Sequence, residues 1–163
     1  MVTKINSLEN EFLRVVHDYQ KIIYKVCRVY RDSKEDQEDL FQEIVYQVWK
    51  SYPLFKNESK ISSWIYRISL NTAMTVYRKK RPPIQYYEQL PEQVQTVSEL
   101  TRSEREDRLY AAIKTLNDTE KAVIALFLED FSYLEIACIT GLSENNIGVR
   151  LNRIKTKLKK III

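Results

Sequence analysis

SYLEIACITGLSENNIGVRLNRIKTKLKK, running from Ser132 to Lys160, is the stretch whose reading decides the fold. A short apolar run, Leu134, Ile136, Ala137 and Ile139, stops at Gly141, one of only two glycines in the chain. Glycine enters the left-handed conformation without a Cβ penalty, so it suits the turn after a helix. Ser143 can cap a second helix, in which Ile147, Leu151, Ile154 and Leu158 recur at steps of four, three and four. That spacing is one buried face of a helix. Helix, tight turn and capped second helix make a helix-turn-helix, with Ala137 small enough for close helix packing. The other faces of the second helix carry Asn145, Asn146, Gly148, Val149, Asn152 and Arg153, several of them available to a major groove. Arg150, Lys155, Lys157, Lys159 and Lys160 supply positive charge for phosphates. Asn and Arg read base edges through paired hydrogen bonds, while Lys and Arg set register on the backbone. A solvated basic tail on an ordinary amphipathic helix is the simpler alternative. The coincidence of cap, turn and basic helix favours DNA binding.

Upstream the helical pattern continues. Asn117-Asp118-Thr119-Glu120 has the spacing of a capping box, ahead of a helix through Val123, Ile124, Phe127 and Leu128. Leu100, Leu109, Ala112, Ile113 and Leu116 mark a helix before it. Residues 82–98 differ, holding Pro82, Pro83 and Pro91, three of the chain's four prolines. Proline fixes φ and removes a backbone donor, so this segment reads as a linker. Before it, Phe12, Val15, Val16, Tyr19, Ile22, Ile23 and Val26 lie on one face of a helix from about Leu8 to Val29. A second helix, roughly Gln37 to Tyr52, buries Leu40, Phe41, Ile44, Val45, Val48 and Trp49 and stops before Pro53. A third, capped by Ser62 or Ser63, runs through Trp64, Ile65, Ile68, Thr72 and Val76 into the basic run 78–81. The expected architecture is all-α: two small helical domains, 1–81 and 99–163, joined by the proline-containing linker.

Bulk properties narrow the function. The 163 residues carry a formal net charge of +4, a mild excess that does not by itself imply nucleic acid. Cys27 and Cys138 lie far apart inside apolar patterns and read as small buried residues in a reducing compartment. His17 is the only histidine and has no matching metal or catalytic partner. No glycine-rich phosphate loop, Ser/His/Asp set or metal-ligand spacing is found, so neither an enzyme nor a cofactor is expected. No apolar run has the length of a membrane span or the character of a signal peptide, which points to the cytoplasm.

Two further constellations stand in the N-terminal part. From Trp64 to Arg81, the aromatics Trp64, Tyr66 and Tyr77 interleave with Arg67, Asn71 and the closing basic run. Aromatics with cations suit single-stranded DNA, whose bases stack and whose backbone needs neutralising. Equally, Trp64 and Ile68 are core and the basic run is a helix end favoured by the macrodipole. The acidic start around Asp36 to Glu43 stabilises its own helix. In a basic chain it also fits a positively charged protein partner.

These segments, in this order, resemble the extracytoplasmic-function (ECF) sigma factors of the sigma-70 family. DQEDLFQEI, Asp36 to Ile44, is similar to the family's segment that docks on RNA polymerase; by position, Asp39, Gln42 and Glu43 would meet the core enzyme. FKNESKISSWIYRISLNTA, Phe55 to Ala73, is similar to its promoter-melting and −10-reading region. The resemblance gives the loop Phe55, Lys56, Asn57, Glu58, Ser59 and Lys60 a flipped base to hold, Trp64 and Arg67 a part in strand separation, and Asn71 a −10 contact. Leu116 to Lys160 resembles the domain that reads the −35 element, with Gly148, Val149, Asn152 and Arg153 on bases and Arg150 on the backbone. Gly148 departs from the pattern, since relatives often place a longer side chain there; base reading can shift to Asn145, Asn146 and Asn152. The resemblance implies core polymerase and promoter DNA as partners, and an anti-sigma protein, often membrane-tethered, as inhibitor. A DNA-binding regulator that never joins polymerase, or an adaptor that binds protein alone, would not need all three segments together.

Overall fold

The computed structural model describes residues 2–78 and 104–162. Seven α-helices and no strand occur among them: α1 (Val2–Tyr30), α2 (Lys34–Ser51), α3 (Ile61–Arg78), α4 (Glu104–Ile113), α5 (Asp118–Leu128), α6 (Tyr133–Thr140) and α7 (Glu144–Ile162). The all-helical expectation holds. The expected linker, 82–98, lies outside the described residues.

Local chemistry sets the helix ends. Ser33 caps α2, accepting from the Asp36 amide at 3.1 Å, and Glu35 and Asp36 sit where the helix dipole favours negative charge. α2 therefore begins three residues before the expected Gln37. A single 3-10 turn, Tyr52–Leu54, follows it. α3 begins at Ile61, with the Lys60 carbonyl accepting from the Trp64 amide at 3.1 Å. Ser62 and Ser63, the expected caps, thus lie inside the helix. The Asn117 capping box is present in both directions, with Glu120 N to Asn117 Oδ1 at 2.8 Å. A second box closes on α6, where Ser132 Oγ accepts from Glu135 N at 3.1 Å and Glu135 Oε2 from Ser132 N at 2.8 Å. Gly141 ends α6 at φ 79°, its amide donating to the Ala137 carbonyl at 2.8 Å. Ser143 caps α7 through the Asn146 amide at 3.2 Å.

Packing follows the apolar faces. Phe12, Ile23 and Val26 of α1, Phe41, Ile44 and Val48 of α2, and Ile65 and Ala73 of α3 close the N-terminal core. Ile113, Val123, Leu126, Ile136, Ile147, Leu151 and Ile154 fill the C-terminal half, and both sets belong to one continuous core. Each large aliphatic side chain taken fully out of water contributes roughly 1.5–3 kcal/mol. The two halves also meet directly, α1 against α4 and α5, and α3 against α6.

The cysteines divide. Cys27 is buried in α1 as expected, but Cys138 is exposed, which corrects the expectation for it. α6 has only eight residues and is apolar on more than one face, so its composition overstates what it buries.

Candidate nucleic-acid and polymerase interfaces

α7 separates its chemistry by face. Ile147, Leu151, Ile154 and Leu158 are buried, while Asn145, Val149, Asn152 and Arg153 stand in solvent on the other side. Position 149 lies four residues after 145, three before 152 and four before 153, so one groove can meet all four. Asn146 is half-buried, its Oδ1 accepting from Arg150 Nε at 2.9 Å, which fixes the guanidinium beside the row. Gly148 faces α6: a Cβ built there would lie 3.6 Å from Tyr133 Cε2.

Not all of the basic run on α7 is available for phosphates. Lys157 Nζ donates to the buried Glu120 at 2.7 Å, and Lys155 Nζ lies 4.3 Å from the centre of the Phe127 ring. Both tie α7 to α5. Lys159 and Lys160 remain exposed, as do Ile161 and Ile162.

In the N-terminal half, the loop before α3 bends at Asn57, which takes φ 57°, and Glu58, Ser59 and Lys60 are exposed. Phe55 is half-buried against Trp64, ring centres 4.6 Å apart and planes at 30°. Trp64 also meets Tyr52 at 6.4 Å, and Tyr52 meets Phe12 at 6.0 Å. Trp64 is therefore partly core, and the loop hangs on it. Arg67 and Asn71, four residues apart, both stand on the exposed side of α3. On α2, Asp39 is exposed beside Glu35 and Glu38, whereas Gln42 and Glu43 are half-buried and Glu43 accepts from Gln47 Nε2 at 3.2 Å.

Sequence reasoning missed how the halves engage one another. Lys60 Nζ reaches Glu135 Oε1 at 3.3 Å, and Arg67 donates to the Cys138 carbonyl at 3.0 Å. The Ser132 amide, helped by Lys60, holds the Glu135 carboxyl below the usual carboxylate range. Arg28, almost wholly buried, donates to Asp107 at 2.6 Å and stacks over Tyr110 at 4.0 Å. Burial pushes the Tyr66 hydroxyl up, where its ring meets Phe131 edge-on at 5.3 Å. No group of three or more potential metal ligands occurs among the described residues, and no described helix is long and apolar enough to cross a membrane.

Residues 15–82 match the family Sigma-70 region 2, and residues 106–158 match Sigma-70, region 4. The sigma factor SigV of Bacillus subtilis is 29% identical over 140 residues, 85% of this chain and 82% of its own length. SigZ of the same organism is 32% identical over 133 residues, 77% of this chain and 72% of its own. The fold is similar to that of the sigma factor RpoE solved with the anti-sigma factor NepR from Bartonella quintana. That match has a TM-score of 0.70 at 19% identity, over 93% of this chain and 96% of the other. The chain belongs to the sigma-70 family. Within that family it falls in the ECF group, as a sigma factor that directs RNA polymerase to promoters.

Proposed function

We propose that the two halves divide promoter recognition between them, and that the chain acts by binding rather than by catalysis. In this reading residues 1–81 dock on core polymerase through Asp39, Gln42 and Glu43. They take the −10 element through Phe55, Asn57, Glu58, Ser59, Lys60, Trp64, Arg67 and Asn71. Residues 99–163 present α6 and α7 as the helix-turn-helix that reads the −35 duplex through Asn145, Asn146, Gly148, Val149, Arg150, Asn152 and Arg153. Residues 82–98 are the linker between them. The observation that carries it is the open polar row of α7, Asn145, Val149, Asn152 and Arg153, backed by a fully buried apolar face.

The mechanism needs no hydrolysis. Two weak DNA contacts held on one polymerase gain from effective concentration. Duplex is read in the major groove, and capture of unpaired bases offsets an unstacking cost of roughly a few kcal/mol. The protein works in the cytoplasm, where polymerase and promoter are. An anti-sigma protein fits as its inhibitor, supported by the similar fold of RpoE, solved bound to NepR.

Run-off transcription with bacterial core polymerase on a library of promoter-like DNA tests this. New transcripts sharing an upstream motif are expected, and reversing charge in Asp39→Lys with Glu43→Lys should abolish them. Duplex binding with no core association and no transcripts would instead mark a regulator that works without polymerase.

A further inference from the structure

One apolar side chain stands in the polar row of α7. Val149 is half exposed and lies outside the hydrophobic core. On the same face are Asn145 four residues before it, Asn152 three after and Arg153 four after, all in solvent. Its neighbours in the chain leave it open: Gly148 has no side chain, and Arg150 donates to Asn146 at 2.9 Å. The fold gives no reason for valine there. At a solvent position of a helix, a β-branched residue is a poorer helix former than alanine, lysine or glutamate. What it does bring is shape. In a helix its χ1 is held to one rotamer, so two methyl groups stand in a fixed place before any ligand arrives.

We propose that Val149 determines specificity by reading the C5-methyl of a thymine in the −35 element. This rests on the reading of α7 as the −35 helix. The edge chemistry of the major groove selects the partner. Of the four bases only thymine presents an apolar group there; adenine, guanine and cytosine present donors and acceptors alone. Valine against the thymine methyl takes two apolar surfaces out of water together. Against the amino group of cytosine or adenine it would strip water from a donor and offer no acceptor, which opposes the wrong base. The register is limited too. Four residues of helix advance about 6 Å, close to two base pairs at about 3.4 Å each. The thymine therefore falls within about two pairs of the base that Arg153 meets. Asn152 and Arg153 can test donors and acceptors; Val149 tests for the methyl that those bonds leave unread.

Core polymerase carrying the full chain tests this on a promoter recovered from the run-off library. Each thymine of its −35 element, on either strand, is replaced in turn by deoxyuridine, which lacks only the C5-methyl. At one position promoter affinity should fall about fourfold, as expected for one buried methyl-sized group. Val149→Ala should cost about the same on the unmodified promoter. It should also make that deoxyuridine harmless, since the two changes remove one contact. Selection repeated with Val149→Ala should lose the preference at that position and keep the others, and circular dichroism checks that helicity is kept. A −35 element with no thymine whose methyl matters overturns the inference. So does a deoxyuridine penalty that persists in Val149→Ala, because another group then meets the methyl. Arg153→Ala separates this from failure of the underlying reading. If it weakens −35-dependent binding while Val149→Ala does nothing, only the thymine contact falls. If Asn152→Ala and Arg153→Ala are also without effect, α7 is not the −35 helix, and the inference goes with it.

Discussion

α3 and α7 are built alike and situated differently. Each buries an apolar face and turns polar side chains outward, Arg67 and Asn71 on one, Asn145, Asn152 and Arg153 on the other. The α7 row stands free, and its nearest bound cations, Lys155 and Lys157, are used to fix the helix to α5. The α3 row is engaged by α6 through Lys60 and Arg67. A helix face is therefore not a site until its neighbours are known. Two rows of equal chemistry differ in availability because one lies where the other half of the chain folds over it.

The largest expected effect is chemical and concerns the two thiols. Cys138 lies on α6, the covering helix, and is exposed; Cys27 is in the α1 core. Burial pushes the Cys27 thiol up to about 12, and Arg31 only partly offsets this. Buried and held protonated, Cys27 offers a reagent little thiolate. One thiol per chain should react with a disulfide reagent within minutes, and the second only after denaturation. Two fast thiols would mean that the N-terminal core is open.

Next in size is the dependence of the open row on what lies beneath it. Leu151→Ala removes a fully buried side chain from α7 and should cost about 2–5 kcal/mol of stability, read by urea unfolding. Duplex binding should fall with it. A smaller test separates the two helices. Asn152→Ala and Arg153→Ala should each weaken duplex binding by the free chain by about 1–3 kcal/mol. Arg67→Ala should show its loss in open-complex formation by the polymerase-bound protein. Equal losses for both helices in the free chain would end the contrast between them.

How much of the molecule is legible in its sequence depends on the range of each interaction. The buried faces of α1, α2 and α7 are readable because helical period is a local property repeated over several turns. The Asn117 box and the Gly141 turn are readable because cap chemistry spans three or four residues. The Ser132–Glu135 box has the same spacing as the Asn117 box, and that spacing is the signal that could have found it. Cys138 was misplaced because eight residues give barely two turns, too few for a period to separate inside from outside. The seam is not readable at all. Arg28 and Asp107 are 79 residues apart, Arg67 and Cys138 71, and no periodicity joins them. Arg28 resembles any charged residue on a helix until α4 covers it. Its burial belongs to the tertiary fold.

The smallest effect bears on the position where the chain departs from its relatives. Gly148 sits inside α7, and only a turn, a close approach or a positive φ would require glycine there. Gly141 is the one glycine at positive φ, and a Cβ at 148 would meet Tyr133 at 3.6 Å, an ordinary contact. Nothing in the fold therefore needs it, and Gly148→Ala should stabilise the chain by up to about 1 kcal/mol, raising Tm by a few degrees. The added methyl meets Tyr133 of α6 at an ordinary contact distance, so duplex affinity should stay within twofold. If affinity instead falls tenfold while Tm rises, the bare backbone at 148 approaches the DNA itself. The reading surface of α7 would then lie one turn nearer its N-terminus, on Asn145 and Asn146, and the open row would be shorter than its exposure implies.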